Sequence, residues 1–77
     1  MPELPPSTRR AKFIRTAGRM GFHINKTFGK GDHYMMFSPD KKDKITVPKS
    51  FETHKVRQSL AKFIQKYGDL NKFLKDL

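Results

Sequence analysis

Two stretches of helical periodicity bracket three short strand-like segments, and glycine or proline marks most of the joins. That order leaves few folds open. Phe13, Ile14, Ala17 and Met20 fall on one side of a helix, with Lys12, Arg15 and Arg19 opposite. Ser7 or Thr8 is placed to cap this helix, and Gly21 to stop it near Met20. Further on, Thr53 can cap a second helix running to about Tyr67. Its apolar face is Val56, Leu60, Phe63, Ile64 and Tyr67, and Lys55, Lys62 and Lys66 lie opposite. Gly68 ends it, and Asp69 can cap a short final helix carrying Leu70, Phe73, Leu74 and Leu77.

Between the long helices, Phe22 to Lys26 alternates apolar and polar, with Phe22 and Ile24 expected inward. Gly29-Lys30-Gly31 is a hairpin signal, and His33 to Phe37 a second strand. Ser38 to Asp43 is a polar turn, and Lys44 to Pro48 a third strand closed by proline. Tight joins make the three an antiparallel meander, with both long helices packed on one face. The fold expected is therefore α+β, ordered α-β-β-β-α with a short C-terminal helix. At 77 residues the chain is one domain. Residues 1–8 read as a flexible, proline-rich lead-in and 9–77 as the folded unit. The second strand is apolar on both faces: His33, Met35 and Phe37 share one, Tyr34 and Met36 the other. Its register is open at this level.

Charge is the strongest global signal. Seventeen Lys and Arg against seven Asp and Glu give +10, and before Asp32 there are seven basic residues but one acid, Glu3. Such a field draws polyanions, nucleic acid first and an acidic protein second. Lys12, Arg15 and Arg19 could follow a phosphate backbone, although a solvated helix face explains their spacing equally well. Of the aromatic residues, Phe28 and Tyr34 flank the central turn and are candidates to stack on a base. The chain has no cysteine, no apolar run approaching a membrane span, and no hydrophobic signal core in Met1 to Ser7. No membrane role is expected, and the reducing cytoplasm is the expected location.

The turn Gly29-Lys30-Gly31-Asp32-His33 carries the chemistry. It sets an imidazole at the mouth of a strand, and an imidazole can take or give a proton near neutral pH. Lys30 could hold a phosphate that the flanking glycines allow to approach the backbone. Asp32 is a candidate modulator of His33, because a nearby carboxylate favours imidazolium. His23 and His54 have no metal-ligand spacing with His33, so no metal or other cofactor is expected. A serine triad, a phosphate-cradling glycine loop and a carboxylate pair are likewise not visible.

These residues, in this order, suggest a family. A basic helix, Gly21-Phe22, Gly31-Asp32-His33, an aromatic strand, Ile45-Thr46-Val47-Pro48 and a helix with Leu60 and Ile64 together resemble the HicA (YcfA-like) mRNA interferase toxins. The resemblance runs from about Arg9 to Phe73. It implies a fold like the double-stranded-RNA-binding domain and a metal-independent endoribonuclease of a toxin–antitoxin system. It further implies a catalytic histidine at His33, mRNA as substrate, and a HicB-like antitoxin as protein partner. On this reading Lys30, with Arg9, Arg10, Lys12 and Arg15, would contact the RNA phosphates. The chain departs from the family's pattern twice. Asp32 stands where serine is usual, and Lys49 and Ser50 follow the Val-Pro pair where a nearby histidine is common. A non-catalytic RNA-binding module of the same fold, or a docking protein for an acidic partner, are the competing readings.

Overall fold

The chain forms α1 (Arg10–Arg19), β1 (His23–Asn25), β2 (Tyr34–Phe37), β3 (Lys44–Val47), α2 (His54–Tyr67) and α3 (Leu70–Asp76) in the computed structural model, which describes residues 2–26 and 33–77. The strands make one antiparallel sheet in the order β1-β2-β3. This is the α+β arrangement the periodicity predicts. Among the described residues no helix is long and apolar enough to cross a membrane.

The pairing fixes which face of the sheet is inside. Ile24 lies opposite Met36, and Met36 opposite Ile45, while Tyr34 lies opposite Val47. Met36 and Val47 are fully buried, and Ile24, Tyr34 and Ile45 pack against the same core. The branched neighbours thus resolve the register of β2 that its own sequence leaves open. Met35 and Phe37 point the other way, to a face that none of the helices among the described residues covers. The helices cover the inner face, α1 against β1 and α2 against β3, with α3 touching both. Phe13 sits at the centre, edge-on to Phe51 at 5.4 Å and to Phe73 at 5.3 Å between ring centroids. Such edge-to-face contacts add to the burial energy of the rings.

The helix ends follow local rules with one exception. Thr53 accepts from the Val56 amide, and Asp69 from the Lys72 amide, as expected of these caps. At the end of α1, Gly21 has φ of 97°, its amide reaches the Gly18 carbonyl, and the Phe22 amide reaches Ala17. This reversed turn aims Phe22 into the core and needs glycine. Neither Ser7 nor Thr8 caps α1. The N-cap is Arg9, with no side-chain bond, because Thr8 spends its hydroxyl and its amide on the Pro5 carbonyl.

The expected flexible lead-in is instead anchored. Leu4 is 1% exposed within the core. The Arg57 guanidinium is buried; it donates to Glu3 Oε2 at 2.9 Å and to the Phe51 carbonyl at 2.6 Å. Glu3 also meets His54 Nδ1 at 2.9 Å. A buried cation needs such partners, and here they come from the segment that composition marks as loose.

Two stability predictions follow from this clasp. Replacing Leu4 by Ala should cost about 2–5 kcal/mol, as for other fully buried leucines. A domain of this size has only a few kcal/mol to lose, so urea denaturation should find Leu4→Ala largely unfolded at 37 °C. The second concerns acid. The Arg57 hydrogen bond holds the Glu3 carboxyl below its ordinary value of 4.5, and Asp43 is lowered chiefly by the Tyr67 hydroxyl. Groups with depressed values stabilise the fold above their unfolded pKa and lose that contribution as they protonate. Thermal melts should therefore fall as pH drops below about 4.5, and Glu3→Gln should flatten part of that fall.

Candidate functional site

His33 sits immediately before β2 and is exposed. Continuing the register from Tyr34 opposite Val47 places it beside Pro48. Alternation puts its side chain on the outer face with Met35. It lines a groove of about 590 Å³ between the free edge of β3 and the start of α2. Ile45, Val56 and Leu60 form the apolar wall of this groove, and Thr46, Thr53 and Ser59 bring hydroxyls. Two ammonium groups, Lys44 from β3 and Lys55 from α2, flank it. The groove thus carries one imidazole and two lysines along a hydroxyl-rich rim, His33 beside Pro48 at one end of β3 and Lys44 at the other. It can hold an anionic group and move a proton on it.

Local structure explains why these residues meet. Pro48 closes β3 and turns the chain away from the sheet, and Phe51 then drops into the core. Thr53, two residues after Phe51, caps α2, so His54, Lys55 and Val56 are held in its first turn. The Arg57 bond to the Phe51 carbonyl fixes this connection from beneath. At the far end of β3, Tyr67 donates to Asp43 Oδ2 at 2.7 Å, with Lys66 Nζ 3.7 Å from the same oxygen. The edge strand is therefore tied to both ends of α2.

The residues singled out from sequence do not all gather here. Lys30, Asp32 and Phe28 lie outside the described residues. Arg10 reaches β2, its guanidinium 3.9 Å from the centre of the Tyr34 ring. That contact lies on the inner side of the sheet, so the Tyr34 ring already carries a cation. Arg9 and Lys12 line a separate cleft of about 420 Å³ with Leu74 and Leu77. Arg15 lines another with Ile24 and Lys26. Sequence reasoning missed Lys44 and Lys55, although the Val47-Pro48 strand end and the Thr53 cap were the signal that brings both to one groove. Among the described residues, no group of three His, Cys, Asp or Glu side chains gathers as a metal site would.

No family model, curated protein or solved structure matches this chain. The fold and the groove stand on their own geometry.

The Thr53 cap gives a direct test of how the groove is held. Thr53→Ala should cost about 1 kcal/mol in urea denaturation, and Thr53→Ser should restore most of it. Amide exchange in the first turn of α2, at Lys55 and Val56, should quicken in the alanine variant alone.

Proposed function

We propose that the protein is a metal-independent endoribonuclease of the HicA toxin type, built on a fold like the double-stranded-RNA-binding domain. The observation that carries the reading is an exposed His33 lining the same open groove as Lys44 and Lys55. It joins three supports: the net charge of +10, the α-β-β-β-α order, and the motif resemblance from Arg9 to Phe73.

RNA carries its own nucleophile. The 2′-hydroxyl attacks the adjacent phosphorus, the P–O5′ bond breaks, and a 2′,3′-cyclic phosphate and a 5′-hydroxyl result. One proton leaves the 2′-oxygen and one is delivered to the departing 5′-oxygen. A neutral imidazole takes the first, and an imidazolium supplies the second. His33 fills one of these roles, and the lysines that line the same groove offset the charge that builds on the phosphoryl oxygens. Lys30, three residues before His33 in the sequence, is the further phosphate contact that the reading expects. The reading places the enzyme in the cytoplasm on mRNA, with a HicB-like antitoxin as its protein partner.

His33→Ala should lower cleavage of single-stranded RNA by about 10²- to 10⁴-fold, with EDTA present throughout, and should relieve growth arrest on expression. The Tm should hardly move, since His33 is exposed. A 2′-deoxy substitution at the cleaved position should stop the reaction in the wild-type protein. Equal cleavage by His33→Ala, or loss of wild-type activity in EDTA, sinks the mechanism. Tight binding of RNA without any cleavage would leave the non-catalytic RNA-binding module.

A further inference from the structure

The outer face of the sheet holds an aromatic side chain that the fold does not use. Phe37 is half-buried, yet it is not among the apolar side chains packed against the core. The ring–ring contacts among the described residues lie in the core and leave it out. Its cross-strand neighbours are His23 on β1 and Lys44 on β3. A shallow cleft of about 320 Å³ opens beside it, lined also by Asn25 and Lys41. Met35, two residues back on the same face, leads from Phe37 to His33. The four-residue step from Phe37 to His33 spans roughly 13 Å at the rise of a β-strand.

We infer that Phe37 is a stacking platform for an unpaired base of a single-stranded RNA whose phosphate lies at His33. The inference rests on the ribonuclease reading and adds the subsite that orients the strand. The occupant follows from the chemistry of the row. A flat, half-exposed ring flanked by an imidazole and an ammonium group suits a base with a phosphate on either side. The positive charge of the chain favours the same polyanion. Lys41 reinforces the placement. It takes a positive φ of 62° in a turn held by the Ser38 amide on the Asp43 carbonyl and the Lys41 amide on the Ser38 carbonyl. A non-glycine residue in that conformation is held there by its surroundings, and Lys41 lines the same cleft as Phe37. Tyr34, the stacking candidate in the sequence, faces the helices and is covered by Arg10.

The chain has no tryptophan, so Phe37→Trp gives a single fluorescent reporter. The experiment uses the full chain carrying His33→Ala, which prevents turnover, and a labelled single-stranded oligoribonucleotide of mixed sequence. By fluorescence anisotropy, Phe37→Leu should weaken binding roughly five- to tenfold. Phe37→Trp should bind as His33→Ala alone does, and its indole emission should be quenched as RNA is added. A duplex of the same sequence should compete poorly, because its bases are already stacked. Unchanged affinity in Phe37→Leu, or an indole emission indifferent to bound RNA, overturns the subsite. The ribonuclease reading then still stands if the His33→Ala substitution by itself abolishes cleavage. Should Phe37→Leu instead abolish a concentration-dependent self-association in sedimentation, the face belongs to a second copy of the chain. If the protein neither binds nor cleaves RNA, both the subsite and the reading fall.

Discussion

A buried guanidinium organises this molecule. Arg57 is 5% exposed, and a cation so placed is tolerated only when its donors are met. The carboxylate of Glu3 and the carbonyl of Phe51 meet them. In doing so they bind three separate pieces of chain: the segment before α1, the connection after β3, and the first turns of α2. The Leu4 amide reaches the Arg57 carbonyl at 3.4 Å, so main chain and side chain of one residue hold the same strap. Removing one partner of such a pair commonly costs about 3–5 kcal/mol, because the other charge is left buried. For a small domain that is most of the margin. The groove at His33 inherits this rigidity, since Lys55 and Val56 ride on the turn that Arg57 anchors.

Periodicity made most of the fold legible. The stripes of α1 and α2, the stops at Gly21 and Gly68, and the caps at Thr53 and Asp69 are all local facts, and local facts survive the step to three dimensions. What escaped was decided by partners distant in sequence. Tyr-Met-Met-Phe in β2 is apolar on both faces, and only Ile24 and Ile45, in other strands, select Tyr34 and Met36 as the inner pair. The lead-in misled because its composition is that of a loop, while a single leucine in it finds a hole in the core. Arg57 shares the buried side of α2 with Ala61 and Ile64, which widens the inner face beyond the five apolar positions that spacing marks. A charged residue on that side is legible only once Glu3 is known to lie over it.

The candidate site shows the same division. An imidazole after a glycine turn stands out in the sequence, and His33 is where a strand mouth would put it. The cations that share its groove are not the ones nearest in sequence. Arg9, Lys12 and Arg15 belong to α1 and its approach, and they line other clefts. Lys44 and Lys55, eleven and twenty-two positions on, arrive because β3 runs back beside β2 and Pro48 returns the chain over the edge. A basic composition makes some cation near any exposed histidine unsurprising. The antiparallel return and the α2 cap determine which ones.

His33 also stands at a corner. One side of it opens to the groove along the free edge of β3, the other to the uncovered face that carries Met35 and Phe37. These are different surfaces chemically. The groove supplies ammonium and hydroxyl groups around an apolar wall, which suits a sugar-phosphate. The face supplies a ring between an imidazole and an ammonium group, which suits a base. A nucleotide chain is made of both parts in alternation, and a strand crossing the corner would present each to the surface that fits it. The phosphate at the crossing would then lie against the imidazole, which is where proton transfer is needed. On the ribonuclease reading, a duplex could not make that crossing without unstacking, and the corner would disfavour paired RNA. Specificity for single strands would then follow from the shape of the sheet edge, with no base-reading loop required.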